Sequence, residues 1–511
     1  MLRQFIVNKK LENLFLYSLV IFSVFIHIYF SIQGWSNAVG GIRESQTALT
    51  AYFLKQGGAF FKYETPIFGP PWSWPMELPI YQACVSYFSS FFEISIDSSC
   101  RFISLLSFFL IIIPTFKILD FFEYDDKFKK IFLILFSISP IYIYQSRNSL
   151  IEVFALLLSV SFIAFALTHI KYNKKNDLIF AAIFATLAGL QKITTFIPAA
   201  FLFLIIDLSL VFKSKTKEHA YRFFSHFFTF IFVPLLIVQI WVQYSDLIKI
   251  QNPISFEYLS SNLKEFNFRT GKWLSSLTLS FWKDTLFRTA IHDILGHRFV
   301  FLISIFFAFL CKSKRYMFFL LTFLSAPIIF TNLYVTHRYY LVAIGFYLIL
   351  GTTIIFAKAL SFKKIRPLLY LFLVYVIFIN IKEYNHYYHP LQVQKNIALE
   401  HFAKKINENT TTSEVIIISG VGHDPTIPYL AKRRSILFNG YDLERFEKTK
   451  DLLINNDPLL RIGGLILCQE QNEFNYLHYK KIKNILNATT VFFMSNFENQ
   501  PQSNQCGFYK I

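Results

Sequence analysis

Eleven apolar runs joined by short basic loops constrain this chain more than any other feature. They cover 14–30, 102–119, 131–144, 150–170, 178–190, 193–211, 223–241, 299–311, 317–335, 339–357 and 368–381. A helix needs about 20 residues to cross a bilayer, so the third, fifth and eighth runs must borrow flanking polar residues or tilt. Inside lipid every backbone N–H and C=O must be satisfied within the segment, so the runs read as helices. Composition agrees: 54% of residues are hydrophobic and 16% charged, against roughly 25% charged in a soluble protein. With 63 Phe the chain is far too apolar to stay disordered. In a soluble chain the net charge of +18 would suggest nucleic acid. Here basic loops orient the helices, and no nucleic-acid partner is expected. Five cysteines without a CxxC pair argue against a zinc-ribbon or iron–sulfur module, and no metal or cofactor is expected.

Orientation follows from the loops. One alternating set carries 21 Lys and Arg; the short loops of the other set carry Arg147, Lys192 and Arg338 only. The richer set belongs in the cytoplasm. The N-terminus is then cytoplasmic and, after an odd number of spans, the C-terminus is outside. The first run follows Arg3, Lys9 and Lys10 and has no small-residue cleavage site near its end, so it reads as an anchor rather than a removed signal. The expected setting is the cell membrane, as a multi-pass protein.

Three outside segments exceed connector length: 31–101, 243–298 and the tail after 381. Long ordered loops are usually functional. Residues 1–390 are therefore expected to form a transmembrane domain carrying the first two, and 391–511 an extracytoplasmic α/β domain. In the tail, 415–419 and 463–468 are strand-like, 435–438 and 489–493 more weakly so, with helical stretches at 443–454 and 474–486. Such alternation suggests a parallel-type sheet. The Gly-Val-Gly-His-Asp turn at 420–424 matches neither GxGxxG nor GKS/T and argues against a nucleotide site. Cys468 and Cys506 both fall outside, where an oxidising compartment permits a disulfide.

The first outside loop carries most of the chemistry. It contains Arg43-Glu44-Ser45-Gln46-Thr47-Ala48, a short amphipathic helix over 48–54, a Pro-rich stretch through Glu77, and a second amphipathic stretch over 80–92. Such helices sit at a water–lipid boundary. A lipid-linked sugar phosphate would be served there. Its phosphate needs cations, its tail an apolar groove, and the acceptor hydroxyl a carboxylate base. Arg43, Arg147, Lys192 and Arg338 are candidate phosphate ligands and Glu44 the candidate base.

These motifs resemble a known superfamily. Arg43-Glu44-Ser45-Gln46-Thr47-Ala48, Pro75-Met76-Glu77-Leu78-Pro79-Ile80-Tyr81 and Arg101 are similar to the first loop of bacterial dolichyl-phosphate-mannose–protein mannosyltransferase-like (family-39-like) glycosyltransferases, relatives of the lipid A aminoarabinose transferases. Ser146-Arg147-Asn148-Ser149-Leu150-Ile151-Glu152, Leu190-Gln191-Lys192 and His337-Arg338-Tyr339-Tyr340 fall at the family's usual loop mouths. The resemblance covers about the first 390 residues in layout. It implies a GT-C membrane fold, here with about 11 transmembrane helices, and transfer of a sugar from a polyprenyl phosphate to an acceptor hydroxyl, usually with inversion. The acceptor is a glycan, a lipid or a protein. It implies Glu44 as catalytic residue and Arg43, Gln46, Glu77, Arg147, Glu152, Lys192, His337, Arg338 and Tyr340 as substrate-binding residues. Many relatives carry an Asp in this loop; on one alignment of the pattern Gln46 holds that position.

Simpler roles compete. Glu44 also suits a helix N-terminus, Glu77 the Pro-rich turn, Glu152 an ion pair with Arg147, and Lys192 snorkelling. His27, His226 and Asp207 have no evident partner in sequence. A transporter or flippase of lipid-linked sugars is the alternative function. Transporters place ionisable groups at mid-span, whereas these candidates gather at loop mouths. A non-enzymatic anchoring protein would leave the loop carboxylates without a role.

Overall fold

The computed structural model of the chain describes residues 9–34, 41–252, 254–263, 277–394, 396–438, 461–468, 480, 483, 489–493 and 506–511. Among the described residues, seven helices are long and apolar enough to cross a membrane, or eight if the bent pair Phe281–Leu295 and Arg298–Leu310 counts as one span. The runs that looked short form helices of 13 to 17 residues, Asp126–Ile138, Lys175–Gln191 and Arg298–Leu310 among them. The chain is a multi-pass membrane protein. It divides into two compact units. The first comprises 1–35, 101–241 and 261–393, and the second 36–100, 242–260 and 394–511.

The first unit is helical. Asp125 starts the Asp126–Ile138 helix by accepting from the N–H groups of Lys127 and Phe128, which satisfies two of the four donors a helix start leaves open. The helix Leu341–Ala359 is buried almost all round, as a helix apolar on every face requires. Phe108 stacks on Phe136 at 4.5 Å and on the His27 ring at 3.9 Å. His27 has partners after all: Nδ1 lies 2.8 Å from the Ser137 carbonyl and Nε2 2.9 Å from Ser146 Oγ. Leu302, Phe306 and Phe309 on one helix and Phe378 on another are exposed. In water such a surface would be a liability; in lipid it costs nothing. Gly296 turns the bent pair with φ of +73°, and a side chain there would meet Asn380 at 2.7 Å.

The second unit carries a five-stranded sheet of order β2-β1-β3-β5-β4. The strands are β1 Val415–Ser419, β2 Ser435–Phe438, β3 Ile462–Cys468, β4 Thr489–Phe493 and β5 Cys506–Lys510. The parallel expectation holds for β2-β1-β3, but β5 runs antiparallel to both β3 and β4. The difference comes from β5, whose short sequence at the chain's end gave no pattern signal. Cys468 and Cys506 are directly opposite on β3 and β5 and are bridged. The helical stretches expected at 443–454 and, apart from 480 and 483, at 474–486 lie outside the described residues.

The first long loop, which carries residues 41–100, closes the open edge of this sheet. Ser435 and Leu437 N–H groups donate to the carbonyls of Pro66 and Ile67 at 3.0 and 2.8 Å. Phe68 makes an antiparallel bridge with Ile436, and Arg434 donates to Glu64 at 2.7 Å. An exposed strand edge is an open template for pairing, and here the chain fills it from more than 360 residues upstream. Buried Asn252 donates to the carbonyls of Phe68 and Pro70, which ties the second long loop to the first.

Candidate active site

The helix that carries Arg43 and Glu44 starts earlier than its apolar pattern suggests. It spans Ile42–Lys55, not 48–54. Glu44 thus sits in the first turn rather than before it. Polar Arg43 to Thr47 masked the start because they carry no apolar period. The N-cap is Gly41, which has no side chain to cap with. The Glu44 carboxyl folds back over it, 3.6 Å from where a Gly41 Cβ would lie. A carboxylate at that end is favoured by the helix dipole. Glu44 is half-buried.

Arg43 organises this cluster. Its Nη1 donates to Gln46 Oε1 at 2.7 Å, and Nη2 lies 3.7 Å from Glu77 Oε2. Gln46 therefore accepts from a cation. Thr47 Oγ1 donates to the Arg43 carbonyl one turn back at 2.9 Å. Tyr63 pins the Glu77 backbone: its hydroxyl donates to the Glu77 carbonyl at 2.9 Å and accepts from the Met76 N–H at 2.7 Å. Burial, then the nearby Glu77 charge, holds the Tyr63 proton well above the usual phenol range. Arg43, Gln46 and Glu77 are thus brought together, with Glu44 on the same helix turn.

The first unit holds a separate cluster. Lys192 is a single extended residue between the helices Lys175–Gln191 and Ile193–Ser214. Its ammonium is hydrogen-bonded to Glu152 Oε1, the first residue of the Glu152–Tyr172 helix. It also lies 4.5 Å from the Tyr340 ring centre and 5.0 Å from that of Tyr339, within cation–π range. The possible partner Arg147 is instead engaged at the end of the first helix, where Nε and Nη2 donate to the carbonyls of Ser31 and Gly34 at 3.3 and 3.1 Å. Those carbonyls have no partner in the helix itself, and a nearby guanidinium satisfies them. Glu152, five residues on and at the start of the next helix, takes the lysine.

His337 stacks on Tyr339, 5.1 Å between ring centres, and Arg338 is largely exposed. Arg338 has a carboxylate nearby that sequence reading missed: Asp293 Oδ2 lies 3.8 Å from Nη1. Asp293 is buried, and His292 beside it lies 3.2 Å from Glu383 Oε2. The His-Asp pair in the second long loop was the available signal; nothing in sequence linked it to Arg338. Likewise His226 and Asp207, apparently unpartnered, pair at 3.0 Å. No group of three or more His, Cys, Asp or Glu suited to a metal ion occurs among the described residues.

Comparison with solved structures identifies the architecture. The chain aligns with ArnT from Cupriavidus metallidurans bound to undecaprenyl phosphate over 98% of both chains, at 10% identity and a TM-score of 0.65. The fold is GT-C. The same enzyme in its apo state aligns over 96% of this chain and 97% of its own, at 10% identity and a TM-score of 0.58. An oligosaccharyltransferase from Archaeoglobus fulgidus aligns over 89% of this chain and 68% of its own, at 13% identity and a TM-score of 0.50. No protein-family model and no curated protein sequence matches the chain. The likeness is one of fold and runs over nearly the whole chain.

Proposed function

We propose that this GT-C protein is a membrane glycosyltransferase that moves a sugar from a polyprenyl phosphate to an acceptor hydroxyl on the outer face of the membrane. The observation that carries this reading is a half-buried carboxylate, Glu44, in the first turn of a loop helix of a GT-C chain, beside the Arg43–Gln46–Glu77 cluster. The undecaprenyl phosphate bound by ArnT supports the donor class.

In the proposed reaction Glu44 takes the proton of the acceptor hydroxyl. The oxygen attacks the anomeric carbon opposite the phosphate, the bond from that carbon to the phosphate oxygen breaks, and polyprenyl phosphate leaves with the electron pair. The sugar is inverted. Lys192 has three donors and spends one on Glu152; Arg338 is largely exposed and only loosely paired. Both retain N–H groups for the leaving phosphate, with His337 and Tyr340 around the head group. Arg43, Gln46 and Glu77 hold the base helix and meet the sugar. Glu152 and Arg147 support this site from helix ends.

The test is incubation of the purified protein, in lipid, with a panel of polyprenyl-phosphate sugars and candidate acceptors. Acceptor-dependent release of free polyprenyl phosphate is expected. A panel that is transported across the bilayer intact, with no release, would sink the proposal in favour of a flippase.

A further inference from the structure

A third group of cations stands apart from both clusters. It lies in the first unit, where the ends of helices Glu152–Tyr172, Ile193–Ser214 and Lys217–Phe227 meet the start of Lys314–Ile329. These ends belong to the basic loops. They surround a hollow of about 900 Å³ whose lining includes Lys171, Lys213, Arg222 and Arg315. Its lining carboxylates are Glu123 and Asp207. Neither cancels the cations. Asp207 is turned to His226 at 3.0 Å, and Glu123 is an exposed side chain 3.7 Å from Lys171. Arg315 is fixed by the Phe122 carbonyl at 2.7 Å, and Arg222 has an exposed partner in Glu218 at 2.7 Å. Lys213 has no ion pair among the described residues and is exposed.

We infer that this hollow binds the phosphate head group of an anionic membrane lipid. Four cations, three of them in a helix's first or last turn, match a phosphodiester, and basic hollows between membrane helices attract such head groups. The neighbouring surface selects the source. Phe212 precedes Lys213, and Tyr221 and Phe224 flank Arg222; all three are exposed. A free phosphate would leave them uncovered, whereas acyl chains lie against them. Lys213 and Arg222 therefore sit at the boundary between head group and tail, each beside an aromatic ring. This site is independent of the sugar transfer proposed above and rests only on the geometry of the first unit.

Native mass spectrometry of the full chain, titrated with phosphatidylglycerol or phosphatidylcholine, tests it. Phosphatidylglycerol is expected to bind more tightly. Each Lys or Arg near a phosphate head group is worth about fivefold in affinity, so Lys213→Gln should lose about fivefold and Lys213→Gln with Arg222→Gln roughly 25-fold. Lys213 is exposed, so its single variant leaves the fold intact. Lys363→Gln with Lys364→Gln removes equal charge from another basic loop and should bind as the wild type does. Three results overturn the inference: no loss in the Lys213 variants, an equal loss in the Lys363 and Lys364 control, or displacement of the lipid by inorganic phosphate at matching concentration.

Discussion

Lys192 and Arg43 are both cations beside a carboxylate, but the two regions hold them differently. Lys192 and Glu152 are nearly excluded from solvent, and two tyrosine rings cover the ammonium. Arg43 is about one-third exposed and meets Glu77 across 3.7 Å, with its short bond going to a neutral amide. Removing one partner of a buried pair leaves an uncompensated charge, while a part-exposed pair is screened by water. The first region therefore tolerates single substitutions poorly, whereas the second, part-exposed and loosely paired, is adjustable.

Four outcomes would break or sharpen that contrast. The largest belongs to the adjustable region. Glu44→Gln keeps size but cannot take a proton, and transfer should slow by about 10²–10⁴ with donor binding retained. Normal turnover would move the base to Glu77, then Glu152. Next, Lys192→Ala should destabilise the protein by about 3–5 kcal/mol because Glu152 stays buried and unpaired. Adding Glu152→Gln should restore most of that loss in a thermal-unfolding assay, and a double variant as unstable as the single would remove the buried pair. Arg338→Ala should weaken donor binding by roughly tenfold to a hundredfold, the worth of one charge-assisted hydrogen bond. Its stability should fall less than in Lys192→Ala, since Arg338 is largely exposed and 3.8 Å from Asp293, which keeps His292 at 3.9 Å. Unchanged donor affinity would take Arg338 out of the site.

The smallest effect is a pH dependence. Lys432 sits 3.6 Å from the Tyr429 ring centre and 5.0 Å from that of Tyr52, and burial lowers its pKa from 10.5 to about 8. Between about pH 8 and 10.5 the unfolded chain keeps a proton that the folded chain has shed. Unfolding then takes up a proton, so Lys432 contributes a stability that rises with pH across that window. Wild type should gain on Lys432→Met in thermal unfolding from pH 8 to 10; parallel curves would show an ordinary, solvated lysine.

Pairing at helix ends explains why the site was only partly legible. Glu44, Gln46 and Glu77 fell in one loop, so sequence distance alone put them in reach. Glu152 and Lys192 are 40 residues apart, and the alternation of loops could place both at one membrane face without deciding whether Glu152 took Lys192 or the nearer Arg147. The Asp293 partner of Arg338 needed the bend at Gly296, a local backbone feature with no periodic signature.

Hydropathy by itself determined that the chain crosses a membrane many times, because lipid allows a spanning segment no unpaired backbone groups. Alternation in the tail likewise determined a small sheet. Only the tertiary structure decided what closes that sheet. The edge strand Ser435–Phe438 takes its partner from Pro66 to Phe68 of the first long loop. Backbone hydrogen bonding is nearly blind to side-chain identity, so no residue pattern in either segment announces the pairing. The loop that carries Glu44 and the tail domain are in consequence one folding unit, though the chain separates them by the whole helical core.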